Sequence, residues 1–424
     1  MTGASAAAAE ARPSAGARRW TIIGLLSLGM IIAYVSRSNL SVVLVLPDFI
    51  KSFHLSDTDR GLLNSAFFWA YAVLQIPAGW VVDRYGVKLP YAVSFLFWCI
   101  ASALTAFAGT LGSLYVLRVL VGAGEAVVAP ASYRWIRVNF EEKERGLAIG
   151  LYMTGTKIGP AIAAPLAAWL VLHSDWRAMF LIVGAGGLVW LVPWLLLVDN
   201  DRPRALKAAA APSAEAVPFA RVLASPVTWG AVIATFCYMY FVYFCMTWMP
   251  AYFVEQRHLT LARMGIYTFF SFGGMAIVAV LAGWVADLLI ARGGNPVTVR
   301  KWFTIAGFAI ACTELIGARS ESVTVALAFA VISLSGLGLA TANYWALTQT
   351  LIPAAAIGRI SGVQNCAASV AGIVAPILTG WLKQQTGSYQ APMQAIWFFL
   401  VVGVLAYVFL VREKYAPRAA ATLP

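Results

Sequence analysis

Charged residues are scarce in this chain of 424 residues: 11% are Asp, Glu, Lys or Arg, whereas 61% are hydrophobic. An average soluble domain carries roughly 25% charged residues, so the composition excludes an ordinary soluble protein. The mean hydropathy of +0.78 points the same way. We therefore predict a protein that crosses the membrane several times.

Metal-binding and nucleophilic patterns are also scarce. The chain contains 3 His and 5 Cys, and the cysteines show no CxxC spacing, so neither a disulfide framework nor a zinc site is indicated. We find no HExxH, GxSxG or Walker-type loop. We therefore expect no catalytic residue, no metal and no cofactor. A membrane-embedded enzyme is the disfavoured alternative, as is a receptor or sensor, because we see no added soluble domain.

Long apolar segments, by contrast, recur along the whole chain. About 20 largely apolar residues suffice for a helix to span a bilayer. Twelve such segments are found, at 20–46, 61–82, 89–109, 111–136, 146–172, 177–198, 227–254, 264–288, 299–317, 323–350, 355–382 and 392–411. The sequence therefore predicts an all-α membrane protein with twelve transmembrane helices.

The longest polar break, rich in Ala, Pro and charge, divides these segments into two sets of six. We predict a disordered N-terminal tail at 1–19, a six-helix bundle at 20–198, a linker at 199–226, a second six-helix bundle at 227–412 and a C-terminal tail at 413–424.

Basic residues are distributed unevenly over this topology. With both termini in the cytoplasm, twenty of the 30 Lys and Arg lie on the inner side, seven on the outer side and three within spans. This bias is typical of cytoplasmic termini. We attribute the net charge of +12 to contact with anionic membrane lipids, so we expect no nucleic-acid partner.

Two ionisable residues, Arg118 and Glu125, lie within the apolar segment 111–136. An ion at the bilayer centre costs at least about 2.5 kcal/mol, so both side chains are expected to face a protein interior or a watery cavity. Seven residues at about 100° each return to within roughly 20° of the starting direction. Arg118 and Glu125 therefore share one face of a helix.

Two further cations lie within predicted spans. Arg37 lies about 15 Å from the outer end of the first span and Arg118 about 9 Å from that of its own, so their guanidinium groups can lie at comparable depth. Two such groups form a good receptor for a carboxylate or a similar anion. Lys157 lies near the middle of the fifth span. Unlike an arginine, a buried lysine can lose its proton, so its positive charge is less certain than that of Arg37 or Arg118.

A short motif after the second span contains Gly79, Asp83, Arg84, Gly86 and Lys88, and a weaker copy with Asp287 follows about 204 residues later. The motif resembles the loop between the second and third helices of the major facilitator superfamily. Two copies in corresponding loops indicate two pseudo-symmetric six-helix bundles related by a repeat. We predict a conformational gating role for the residues of this motif: Gly79, Asp83, Arg84, Gly86, Lys88 and Asp287.

Longer motifs resemble the anion:cation symporter family of that superfamily. They are YVSRSNLS in the first helix, FFWAYAVLQIPAGWVVDRYG in the second, RVLVGAGEAVVAP in the fourth, YFCMTWMPAYF in the seventh and GRISGVQNCAASVAGIVAPILTGWLKQQTG in the eleventh. The resemblance implies a bacterial inner-membrane carrier, expected to be monomeric. It also implies that Glu125 exchanges the coupling proton, and that the substrate contacts Arg37, Arg118, Tyr34, Tyr71, Trp345 and Asn365.

The chain departs from the family pattern at two positions. Ser36 stands where bacterial members commonly have Asp, which leaves the number of coupled protons open. Lys157 stands where they commonly have an uncharged residue, so we add it to the substrate-binding residues. Either the substrate carries two negative charges, or Lys157 pairs with Glu125 in the empty carrier.

The function expected from the sequence is alternating-access symport of a small organic anion with protons. The substrate classes left open are a sugar acid, a dicarboxylate and an aromatic carboxylate. The alternative is a facilitator or efflux carrier of the same fold that does not couple to protons.

Overall fold

The computed structural model describes residues 14–199 and 217–417. Within these ranges the regular structure is helical, without a strand, and twelve helices are long and apolar enough to cross a membrane. The predicted fold class is thereby confirmed. We label these helices α1 (Ser14–Val43), α2 (Asp57–Tyr85), α3 (Lys88–Phe107), α4 (Leu111–Asn139), α5 (Glu142–His173), α6 (Trp176–Leu197), α7 (Pro226–Thr247), α8 (Leu261–Ala291), α9 (Pro296–Arg319), α10 (Val323–Leu351), α11 (Ala354–Thr386) and α12 (Gln390–Leu410).

The segments between and after the bundles differ from the predicted bounds in detail. Helix α1 begins at Ser14, inside the predicted tail 1–19, and the remainder of that tail lies outside the described residues. The linker prediction at 200–216 lies outside them as well. The linker ends in a short helix, Phe219–Leu223, directly before α7.

The twelve spans alternate in direction, so both ends of the described chain lie at one end of the bundle. We call this end the terminal face and the other end the opposite face. Helices α2, α4, α6, α8 and α10 all start at the opposite face. Each is capped by a side-chain oxygen that accepts a hydrogen bond from a first-turn backbone N–H, a group that otherwise lacks a partner. The caps are Ser56, Thr110, Asp175, Thr260 and Ser322.

The two six-helix halves pack with pseudo-twofold symmetry. Helix α2 packs on α11, and α5 packs on α8. A shift of six helices converts α2 into α8 and α5 into α11, so these two interfaces are equivalent. Their closest approaches also correspond. A Cβ at Gly61 would lie 2.4 Å from the carbonyl oxygen of Pro376, and one at Gly265 would lie 2.8 Å from the Cα of Pro165.

Helix α4 is interrupted directly after its buried carboxylate. One helical segment runs Leu111–Glu125 and the next runs Val128–Asn139. Pro130 explains the break, because its nitrogen carries no hydrogen for the carbonyl of Ala126, four residues earlier. Glu125 therefore sits at the end of the first segment, on the same helical stretch as Arg118, as the spacing predicted.

Candidate functional site

Arg37 and Glu125 form an ion pair in the interior of the first half. Arg37 Nε donates to Glu125 Oε2 at 2.6 Å. Arg37 is 7% exposed and Glu125 is fully buried. The second carboxylate oxygen, Oε1, is buried and has no hydrogen-bond partner. Glu125 thus holds a single strong contact and keeps acceptor capacity for a second donor or for a proton.

Three aromatic rings surround the Arg37 guanidinium. Its central carbon lies 4.5 Å from the ring centroid of Tyr34 and 4.7 Å from those of Phe67 and Tyr71. A cation over an aromatic face gains about 0.5–2 kcal/mol, more when it is desolvated. The structure thus brings the predicted residues Tyr34 and Tyr71 to Arg37. Phe67 was not predicted from the sequence, although it precedes Tyr71 by one helical turn.

Arg118 lies beside this pair but is bonded differently. Its Nη1 donates to the Ser36 carbonyl at 3.2 Å and its Nη2 to the Arg37 carbonyl at 3.1 Å. Its Nε is buried and has no partner. Arg118 is 3% exposed, so it faces the protein interior, as predicted. Both partners are neutral carbonyls, and no carboxylate among residues 14–199 and 217–417 forms an ion pair with Arg118.

Lys157 does not pair with Glu125 in this conformation, which contradicts the second of the two alternatives raised for it. Its ammonium group donates to the hydroxyl of Tyr238, on α7 of the other half, at 3.4 Å. That hydroxyl shares a 2.7 Å hydrogen bond with Thr341 of α10. The reason is the helix arrangement. Helix α5 packs mainly on α1 and α8, whereas the segment of α4 that ends at Glu125, Leu111–Glu125, packs on α2 and α3.

The two remaining predicted pocket residues lie in different surroundings. Asn365 Nδ2 donates to Gln75 Oε1 at 2.6 Å, which joins α11 to α2 across the two halves. Trp345 packs on Tyr344 at a centroid distance of 5.3 Å, and Tyr344 packs on Tyr238 at 4.9 Å. Trp345 therefore belongs to the Lys157 side of the site. Asn365 lies at the interface between the halves.

The predicted gating motif lies at the terminal face, and its ion pairs stay within each half. Asp83 pairs with Arg134 of α4, and Asp287 pairs with Arg300 of α9 at 2.8 Å. Gly86 adopts φ 83°, a conformation that favours glycine, and it ends α2.

Three other members of the motif contribute local contacts or none. The Lys88 carbonyl accepts from Trp194 Nε1 at 3.0 Å, and the Arg84 guanidinium lies 5.7 Å from the Trp80 ring centroid. Gly79 does not lie in the loop to which the motif was assigned. It lies inside α2, and a Cβ there would meet nothing within 4 Å.

A cluster of four charged residues joins the halves at the opposite face. We call it the ion-pair cluster. Arg60 contacts Asp57 at 2.8 Å and Glu255 at 2.6 Å, and Lys383 contacts the same two carboxylates at 2.7 Å and 2.6 Å. Asp57 and Arg60 belong to the first half, and Glu255 and Lys383 to the second. This cluster was not predicted from the sequence.

The surroundings of the ion-pair cluster stabilise its charged form. Tyr389 donates to Glu255 at 2.9 Å, and Arg60 lies 4.9 Å from the Trp248 ring centroid. Burial raises the pKa of the Glu255 carboxyl, but the Arg60 and Lys383 cations lower it by more, so it stays below the ordinary value. Glu255 is therefore ionised at neutral pH, and the cluster carries two positive and two negative charges.

Comparison with known proteins agrees with this architecture. Residues 26–376 match the family model of the Major Facilitator Superfamily. The chain is 29% identical to the D-galactonate transporter of Escherichia coli O6:H1, over 94% of this chain and 96% of that protein. It is also 29% identical to the hexuronate transporter of Bacillus subtilis, over 91% of each chain.

A solved structure of a bacterial homolog of the human lysosomal transporter Spinster covers 95% of this chain and 99% of its own. It has a TM-score of 0.79 and 18% identity, which shows the shared fold. The resemblance predicted from the motifs is thus confirmed. The chain is a multi-pass membrane transporter, not an enzyme, and it belongs to the Major Facilitator Superfamily.

Proposed function

We propose that the protein is a proton-coupled symporter of a small organic acid anion that works by alternating access in the bacterial inner membrane, with both termini in the cytoplasm. Relatives named for D-galactonate and hexuronate make a sugar acid the first candidate substrate. Dicarboxylates and aromatic carboxylates are the other classes that buried cations and aromatic rings suit.

The observation that carries this proposal is the ion pair between Arg37 and Glu125, at 2.6 Å and almost without exposure. Removing one partner of a buried pair costs about 3–5 kcal/mol, because the other charge is left uncompensated. A proton on Glu125 neutralises the carboxylate and releases Arg37. The carboxylate of the substrate can then take the place of Glu125 on the guanidinium fork.

This exchange of partners couples the two ligands. The substrate carboxylate can pair with Arg37 only when Glu125 is protonated. Protonation of Glu125 is favourable only when another anion balances the positive charge of Arg37. Ser36 supplies no carboxylate beside Arg37, so this scheme uses one proton-binding group.

The arrangement of the halves supports alternating access. The ion-pair cluster and the paired close approaches at Gly61 and Gly265 close the opposite face. The motif ion pairs at the terminal face stay within each half. With cytoplasmic termini, this conformation is closed toward the outside, and opening it requires the ion-pair cluster to separate.

Uptake of labelled D-galactonate into proteoliposomes tests the coupling. In wild type, a pH gradient that is acidic outside should drive accumulation above the external concentration. Glu125→Gln should abolish that accumulation, because Gln cannot exchange a proton, while exchange of labelled for unlabelled substrate at equal pH continues. The matched control is Glu314→Gln, which removes another buried carboxylate, bonded to Ser333 in the second half.

Two results would count against the proposal. If Glu125→Gln still accumulates substrate under the pH gradient, Glu125 is not the coupling group. If wild type equilibrates the substrate without accumulating it, the protein is a facilitator of the same fold.

A further inference from the structure

Three cations lie in the central region, of which Arg37 and Arg118 are buried and Lys157 is partly buried. Two of the three have no carboxylate partner among the residues that the structure describes. Glu125 is taken by Arg37. Arg118 bonds to backbone carbonyls, and Lys157 bonds to a tyrosine hydroxyl. An uncompensated charge inside a membrane protein is costly, so a chain that keeps two such cations in its central region is expected to receive negative charge from a ligand.

The surroundings of Lys157 suit an acidic group. Lysine carries three donors, and the 3.4 Å contact to Tyr238 occupies one of them at the long end of hydrogen-bond distance. Tyr238 is 1% exposed and its hydroxyl is hydrogen-bonded to that of Thr341, so a pair of hydroxyls lies on this side of the ammonium group. Trp345 lies one helical turn beyond Thr341, on the same face of α10.

These residues come from both halves of the transporter. Lys157 belongs to α5 of the first half, whereas Tyr238, Thr341 and Trp345 belong to the second. Counted along the helices from the terminal face, Arg118 lies 21 residues from Asn139 and Lys157 lies 15 residues from Glu142. At 1.5 Å per residue, their depths differ by roughly 9 Å. A ligand that contacts both cations must therefore be elongated.

We propose that Lys157, Tyr238 and Thr341 form a second anion subsite, and that the transported substrate is a dianionic organic acid with an acidic group at each end. One group binds at Arg118 and Arg37 and the other at Lys157. The inference rests on the proposed transport function and adds the substrate class. In the empty site, the three cations and the ionised Glu125 have a net charge of +2. When Glu125 is protonated and a monoanion binds, the net charge is again +2, whereas a dianion lowers it to +1.

Galactarate and galactonate are matched probes, because they share a six-carbon chain and differ only in whether the second end is a carboxylate or an alcohol. We would measure the concentration of each acid that half-saturates uptake into proteoliposomes. Wild type should prefer galactarate by at least about tenfold, because a site built for a polar partner rejects the analogue that lacks it. Lys157→Gln should lower this ratio by about tenfold or more, and Lys157→Arg should restore most of it.

The matched control is Lys301→Gln, which makes the same chemical change at a lysine bonded to the Val408 and Val411 carbonyls near the terminal face. Its preference ratio should equal that of wild type. If a Lys157 variant does not transport, thermal stabilisation of the purified protein by the two acids gives the same ratio without turnover.

The outcomes separate this inference from the proposed function. A wild type that takes up both acids equally, or a Lys157→Gln variant that keeps the wild-type ratio, overturns the dianion subsite and leaves organic-anion transport standing. A wild type that neither transports nor binds either acid refutes sugar-acid transport, and the inference with it.

Discussion

The ion-pair cluster at the opposite face should control how readily that face opens. Glu255→Gln removes the carboxylate that pairs with both Arg60 and Lys383, each at 2.6 Å. Breaking a buried pair costs about 3–5 kcal/mol, but the Glu255 side chain is 26% exposed and each cation keeps Asp57. We therefore expect a cost of about 2 kcal/mol, which shifts the ratio of closed to open protein by roughly 30-fold.

Distance measurements between spin labels on the two halves can detect this shift. Gly109→Cys and Thr324→Cys place the labels at exposed positions of the opposite face, one in each half, and Cys366→Ser removes the exposed native thiol. Wild type should show the short distance of the closed face. Glu255→Gln should add a population at longer distance.

Glu321→Gln is the control for this measurement, because Glu321 is exposed and does not belong to the cluster. The reasoning is refuted if Glu255→Gln and Glu321→Gln give the same distance distribution. In that case the close helix packing, and not the ion pairs, holds the face shut.

The pH dependence of closure follows from the lowered pKa of Glu255. A carboxyl whose pKa is depressed in the closed form stabilises that form fully when the pH is above its ordinary pKa, near 4.3. This stabilisation is lost as the pH falls through the depressed pKa. The spin-label distance should therefore stay short between pH 8 and pH 5. Opening in that range would mean that another group titrates.

Two further substitutions test the packing and the central site. Gly122→Ala should lower the melting temperature, because the added Cβ would lie 2.0 Å from the Phe67 carbonyl oxygen. Gly79→Ala is the control, since its Cβ meets open space, and it should be neutral or gain up to about 1 kcal/mol of helix stability. Equal effects of the two substitutions would contradict the close approach of α2 and α4. Arg118→Lys should weaken substrate binding at least about tenfold, because an ammonium cannot reproduce the planar guanidinium that donates to two α1 carbonyls. A half-saturation concentration equal to that of wild type would show that Arg118 does not bind the substrate.

The composition and the long apolar segments determined the architecture. Twelve segments of spanning length can satisfy their backbone groups in a membrane only as helices, so their number and approximate position follow from local sequence. The interior location of Arg37, Arg118 and Glu125 was predicted for the same reason, since a charge facing lipid is costly wherever the neighbouring helices lie.

The partners of these charges could not be predicted from the sequence. Arg37 and Glu125 are separated by 88 residues, and Arg60 and Glu255 by 195. No local pattern encodes such pairs, because they depend on which helices are neighbours and how each is rotated. The sequence therefore left Lys157 free to pair with Glu125, and the packing of α5 on α1 and α8 decided against it.

The sequence thus determined how many helices cross the membrane and which ionisable residues they carry inward, because burial of charge is decided by each segment's own polarity. Only the tertiary structure decided which of these residues meet, including the contact of Lys157 with Tyr238 and the closure of the opposite face. Those contacts join the two halves, so they exist only once both bundles have assembled.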